Sequence, residues 1–176
     1  MFDPDILKYQ LRDAALYWFA IPAAVIAAGK AVDFLFGLPL FSSPLFLTAF
    51  ALILLLAGLL LVWLSIRDLA IAGGTPNPRR PPKKIVTAGT YSICRHPMFL
   101  GYDLCALAVV LFFSSPGMLL VSFPAFLLLQ VRFLRGEEQI LKRKFKKAYA
   151  DYADRTPFLL PLPRWKRLYK RQDSEN

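Results

Sequence analysis

Four apolar runs organise this chain. The first extends from about Ala14 to Phe36 and is interrupted by Lys30 and Asp33, which stand three apart and can pair on one helix face. The second, Pro44 to Ile66, holds 23 residues without a charge, enough to cross a hydrocarbon core of about 30 Å. The third, Met98 to Phe113, contains one acid, Asp103, and the fourth runs from Gly117 to Val131. Between these last two, Ser114-Ser115-Pro116-Gly117 is a tight turn signal, which predicts a helical hairpin. Pro22 and Pro124 fall inside predicted helices, where a proline kinks the axis.

Two polar regions complete the pattern. The loop AGGTPNPRRPPKKIVTAGTY is rich in proline and glycine, and its Thr75-Pro76 and Asn77-Pro78 steps disfavour helix. A tail helix is predicted from about Gly136 to Asp154, with Leu141, Phe145, Tyr149 and Tyr152 on one face and Lys142, Arg143, Lys146 and Lys147 on much of the rest. A basic amphipathic helix beside a membrane lies in the interface. The expected fold is an all-α integral membrane bundle of four spans (about 14–36, 44–66, 98–113 and 117–131). It forms a single domain over residues 1–176, with cytoplasmic elements at about 73–101 and 132–161.

Composition strengthens the membrane reading, since 56% of the 176 residues are hydrophobic. The net charge of +10 is segregated, which points to anionic lipid rather than to nucleic acid as the basic regions' partner. The segments Gly37 to Ser43 and Ser114 to Pro116 contain no Lys or Arg, whereas Arg67 to Arg95 and everything from Arg132 onward are strongly basic. By the positive-inside rule the middle loop and both termini face the cytoplasm, as in a bacterial inner membrane. The start, MFDPDILKYQ, lacks the basic region of a cleavable signal. Cys94 and Cys105 have no metal or redox spacing, and the single histidine leaves too few ligands for an ordinary zinc site, so no metal is expected.

The densest candidate chemistry is GTYSICRHPMFLG, Gly89 to Gly101, where Tyr91, Arg95, His96 and Pro97 stand together at the head of the third span. Proline suits a first helical turn, and the free N–H groups there can hold an anionic group. A polar pocket and a headgroup anchor are both open readings of this cluster. Glu137-Glu138 at the start of the tail helix has a dipole explanation that suffices when the pair is taken alone, and Tyr149, Tyr152 and Arg155 have one in interfacial packing. An acid within a span is functional or paired, and Asp103 is such an acid. No Rossmann, P-loop or nucleophile-elbow pattern is present.

GTYSICRHPMFLG, followed some forty residues on by GEEQILKRKFKKAYADYADRTPFLLP, resembles the isoprenylcysteine carboxyl methyltransferases, their bacterial relatives and the phospholipid N-methyltransferases. The family pattern is G-x-Y-x-x-x-R-[HN]-P-x-[YF]-x-G, a membrane hairpin, then E-E and F-x-x-x-Y-x-x-Y with a basic residue and a proline. The likeness covers about Gly73 to Pro161. It implies an S-adenosylmethionine site formed by Lys84, Ile85, Val86, Tyr91, His96, Pro97, Met98, Phe99 and Glu137. It also implies that Arg95, Arg155 and one or both of Arg132 and Arg135 serve the substrate. Three departures stand out: Phe99 where tyrosine is commoner, Lys146 in place of the usual glycine after Phe145, and the basic pair Arg79-Arg80.

The resemblance implies direct methyl transfer to a lipophilic or small acceptor bearing a carboxylate, amine or thiol, with positioning and electrostatics as the protein's main work. A carboxylate acceptor needs no general base; an amine or thiol must lose a proton. The rival readings are a membrane reductase of related architecture using a nicotinamide cofactor, a four-span transporter working through Asp33 or Asp103, and a membrane scaffold.

Overall fold

The computed structural model describes residues 20–41, 45–73 and 84–160. Among them every regular element is helical: α1 (Ile21–Phe36), α2 (Leu45–Ile71), a short 3-10 turn (Gly89–Ser92), α3 (Pro97–Phe113), a π-helical turn (Met118–Ser122) and α4 (Phe123–Arg155). Arg79 and Arg80, and the first residues of the expected first span, lie outside the described residues.

Among the described residues two stretches are long and apolar enough to cross a membrane, Leu45–Ile71 and Met118–Arg155. α2 is apolar on all sides, as a helix immersed in lipid or protein must be. Leu45, Phe46, Ile53, Leu56, Leu60 and Trp63 are exposed along it, while Ala51, Val62, Ser65 and Leu69 are buried. Its 27 residues span roughly 40 Å. α2 also outruns its apolar run, carrying Arg67 and Asp68 inside the helix.

One sequence expectation changes in detail, while the two prolines lie in helix as expected. Pro22 sits in the first described turn of α1, and Pro124 lies inside the helical run Met118–Arg155, directly after its π-helical turn, where a wider turn accommodates the missing N–H. The tail helix does not begin afresh near Gly136. α4 runs through that glycine, and its break lies ten residues later at Lys146, with φ 47° and ψ −118°. Helix formers Glu137, Glu138, Gln139 and Leu141 sustain the run after Gly136.

The chain divides into two compact units, Met1–Leu60 with Gly101–Gly136, and Leu61–Leu100 with Glu137–Asn176. In the first unit the expected hairpin turn is present, with Ser114 in a left-handed conformation at φ 49°. Asp33 fixes α1 to this turn. Its carboxylate accepts hydrogen bonds from the Ser115 hydroxyl at 2.5 Å and the Gly117 N–H at 2.7 Å. Ser115 Oγ in turn accepts from the Met118 N–H at 3.0 Å, capping the following helix. Lys30 pairs with Asp33 at 3.8 Å, three residues apart as expected. Gly29 lets Met118 approach closely, since a Cβ there would overlap Met118. Asp103 is paired as well: Gln130 Nε2 donates to its Oδ1 at 2.8 Å, joining α3 to α4.

In the second unit Tyr149, Tyr152 and Ala153 form a buried cluster against which Ile85, Leu141 and Phe145 pack. The four residues expected on one helical face therefore do meet, although Lys146 interrupts the helix between them.

Candidate functional site

The site lies in the second unit, where the loop before α3, the start of α3 and the chain from Glu137 onward supply its side chains. His96 precedes α3, and its carbonyl accepts the Leu100 N–H at 3.0 Å, opening the helix. Pro97 follows, fully buried at the first helical position. The loop is tied down at two further points. The Arg95 N–H donates to the Pro157 carbonyl at 2.9 Å, and the Tyr152 hydroxyl donates to the Tyr91 carbonyl at 2.7 Å. Arg95 and His96 are thus held between the head of α3 and the residues following α4.

Their side chains converge on one carboxylate. Arg95 Nη1 stands 3.1 Å and His96 Nε2 3.4 Å from Glu138 Oε1, with all three side chains under a tenth exposed. Phe158 closes one side: the Arg95 guanidinium lies 5.5 Å from its ring centre, and the His96 ring meets it edge-on at 5.0 Å. The Tyr149 hydroxyl is beside Glu138.

The cluster is close but not closed. Arg95 Nε, His96 Nε2, Glu138 Oε1 and the Tyr149 hydroxyl are buried without an aligned hydrogen-bond partner. The Glu138 oxygen has both bases at ion-pair distance, and neither is oriented to donate to it. Leaving a buried polar group unpaired costs about 1–3 kcal/mol, and native proteins accept that cost mainly where a ligand or function needs the group. Four such atoms in one place make the cluster a candidate polar site with both donors and acceptors.

Electrostatics separates the two neighbouring acids. Burial works against the charge of Glu138, but the close approach of His96 and the Arg95 charge outweigh it and hold the carboxyl below its usual value. Burial dominates at Glu137 and, with the Glu138 charge, raises its carboxyl despite the pull of His96. Burial likewise raises the Tyr91, Tyr149 and Tyr152 hydroxyls, and pushes the Cys94 thiol up to about 11, so it stays protonated.

The residues expected from sequence fall into three groups. Tyr91, Arg95, His96, Pro97, Met98 and Phe99 lie in one continuous segment, buried or half-buried. Ile85 and Val86 are half-buried, Glu137 is half-buried, and Lys84 is exposed. Arg155 is exposed at the end of α4, while Arg132 and Arg135 are exposed on the part of α4 that belongs to the first unit. Glu138, Tyr149 and Phe158 are drawn into the cluster without having been assigned to it. Two signals in the sequence pointed there: the paired acids, and an aromatic residue directly after Thr156-Pro157. Among the described residues no group of three or more His, Cys, Asp or Glu could hold a metal ion.

Comparison with known proteins gives the motif a family. The chain is 32% identical over 82 residues to the nickel-cobalt-cadmium resistance protein NccN of Alcaligenes xylosoxydans xylosoxydans, covering 47% of this chain and 38% of that protein. It is 34% identical over 82 residues to the cobalt-zinc-cadmium resistance protein CzcN of Cupriavidus metallidurans, with the same coverage. It is 32% identical over 88 residues to protein-S-isoprenylcysteine O-methyltransferase B of Arabidopsis thaliana, covering 48% of this chain and 43% of that protein. These matches therefore span well under two thirds of each relative. No solved structure matches the chain. The phospholipid methyltransferase family model matches residues 46–148, more than half of the chain and inclusive of Arg95, His96 and Glu138; the chain belongs to the phospholipid methyltransferase family.

Proposed function

We propose that this protein is an integral membrane methyltransferase that uses S-adenosylmethionine and methylates a lipophilic or small acceptor through a carboxylate, amine or thiol. The observation that carries the reading is the buried Arg95–Glu138–His96–Tyr149 cluster with its unmade hydrogen bonds. Family membership and the isoprenylcysteine methyltransferase likeness support it.

The residues present fit the cofactor. Its amino-acid end carries a carboxylate and an ammonium group, and the cluster offers donors at Arg95 Nε and the Tyr149 hydroxyl and an acceptor at Glu138 Oε1 that lack aligned hydrogen bonds. Tyr91, Met98, Phe99, Ile85 and Val86 supply half-buried apolar surface in the same unit for the remainder. When bound, S-adenosylmethionine would supply an electrophilic methyl group on a cationic sulfur. Glu137 and Glu138 would favour that cation electrostatically. A carboxylate acceptor would react without proton removal, and an amine or thiol would give its proton to His96 or a nearby carboxylate.

The reading includes four spans with both termini cytoplasmic in a bacterial inner membrane, supported by the distribution of Lys and Arg along the chain. The transport alternative loses its basis, because Asp33 and Asp103 are each committed to structural hydrogen bonds. Titrating purified protein with S-adenosylmethionine and, separately, with a reduced nicotinamide cofactor tests the proposal. Saturable binding of the first alone is expected, and binding of the second alone would replace it with the reductase. Incubating membranes with methyl-labelled cofactor and partitioning the label among lipid, protein and volatile product then assigns the acceptor.

A further inference from the structure

The segment that carries Tyr91 and His96 begins at a turn, and that turn is built around an acid from another element. α2 extends past its apolar run and ends in Arg67, Asp68, Leu69, Ala70 and Ile71. Asp68 Oδ2 accepts two hydrogen bonds from Thr90, one from its backbone N–H at 2.8 Å and one from its hydroxyl at 3.0 Å. Asp68 Oδ1 accepts from Arg67 Nη2 at 2.8 Å and Nε at 3.2 Å, which holds the carboxylate from its other side. The Asp68 side chain and Thr90 are each about a tenth exposed or less.

The turn requires this arrangement at both of its first positions. Gly89 has φ +63°, and a Cβ there would collide with the Asp68 carboxylate, so glycine is needed both for conformation and for room. Thr90, next in the 3-10 turn, has an N–H with no partner inside so short an element, and Asp68 supplies one from 22 residues away. Tyr91 follows directly, and its carbonyl is held from the tail by Tyr152. The backbone that presents Tyr91 is thus fixed by two tethers, Asp68 before it and Tyr152 at it.

We infer that Asp68 is a positioning residue for cofactor binding: through Thr90 its carboxylate sets the turn that presents Tyr91 to the site. It acts through the turn and touches neither cofactor nor acceptor. The inference rests on the methyltransferase reading above, and on Tyr91 being part of the cofactor surface. If Asp68 were only a structural cap, its removal would lower stability without changing affinity for the cofactor.

The test uses full-length protein in detergent and measures S-adenosylmethionine and S-adenosylhomocysteine affinity by calorimetry, together with melting temperature. Asp68→Ala is expected to weaken both ligands by about tenfold or more, the scale of one or two lost hydrogen bonds to a charged group. Thr90→Val, which keeps the backbone bond and loses the hydroxyl, should weaken them severalfold. Thr90→Ser, which restores the hydroxyl, should bind as the unaltered protein does. Where Asp68→Ala does not fold, the Thr90→Val and Thr90→Ser pair decides. Affinities for Asp68→Ala and Thr90→Val equal to that of the unaltered protein would overturn the inference while leaving the methyltransferase reading intact, as would equal weakening by Thr90→Val and Thr90→Ser. Absence of binding by the unaltered protein would instead remove the reading on which the inference rests.

Discussion

Both compact units bury acidic side chains, and one of them, Glu138 in the second unit, is treated unlike the rest. In the first unit Asp33 accepts from Ser115 and Gly117 and pairs with Lys30, while Asp103 accepts from Gln130. In the second, Glu138 has an arginine and a histidine at ion-pair distance, yet the shared oxygen, both bases and a tyrosine hydroxyl leave hydrogen bonds unmade. Satisfied buried polar groups lock elements together; incompletely satisfied ones are costly and are kept for binding. Sequence alone ranks these acids the other way, because an acid inside an apolar span attracts functional suspicion and an acid opening a basic helix does not.

The sharpest way to break the comparison is to neutralise one acid of each kind. Glu138→Gln should abolish measurable cofactor binding and methyl transfer, because it leaves the buried Arg95 guanidinium without its paired carboxylate; removing one partner of a buried pair costs about 3–5 kcal/mol. Calorimetry and label transfer read the outcome, and circular dichroism confirms that the helices persist. Asp33→Ala should cost about 2–3 kcal/mol of stability by stranding the buried Ser115 and Gly117 donors, seen as a lower melting temperature, while cofactor affinity stays unchanged. A loss of affinity in Asp33→Ala equal to that in Glu138→Gln would erase the distinction.

A pH titration sharpens it within the site. The raised Glu137 carboxyl loses its charge first as pH falls, so affinity for a cationic cofactor should begin to decline above the ordinary carboxylate range. The lowered Glu138 carboxyl stabilises the fold above its unfolded value, and that contribution disappears only as pH falls through its folded value. Affinity should therefore fall at a higher pH than stability does. Glu137→Gln should remove the first transition and keep the second, measured by calorimetry and melting across pH.

The smallest expected effect concerns Lys146. Its φ of 47° with ψ −118° is a conformation that costs a residue with a side chain about 1–3 kcal/mol, and glycine escapes that cost while losing some chain entropy. Lys146→Gly should raise stability by about 1 kcal/mol without altering cofactor affinity, read as a small upward shift in melting temperature.

Much of the framework was legible in the sequence because it rests on local rules. The described parts of the apolar runs are helices, Pro97 opened α3, Ser114 to Gly117 made the hairpin turn, and Lys30 paired with Asp33. What escaped depends on tertiary phase. Leu141, Phe145, Tyr149 and Tyr152 suggested one tail helix, since a periodic pattern looks the same whether or not a residue between its members bends the chain; Lys146 bends it. Adjacent positions on a helix point about 100° apart. Which of Glu137 and Glu138 meets Arg95 was therefore set by the phase of α4 continuing through Gly136, a continuity that the glycine masks in the sequence. Asp68 was hidden for a related reason: Arg67-Asp68 reads as the end of a span, and its partner Thr90 lies across a 22-residue separation.

The central claim is that the Arg95–Glu138–His96 cluster is incomplete because it holds S-adenosylmethionine. Calorimetric titration of that cofactor into the unaltered protein and Glu138→Gln, side by side in the same detergent, tests this most directly. The account predicts saturable binding to the first and none to the second, with helicity equal in both. Equal affinity in the two proteins, or no binding to the unaltered one, would contradict it.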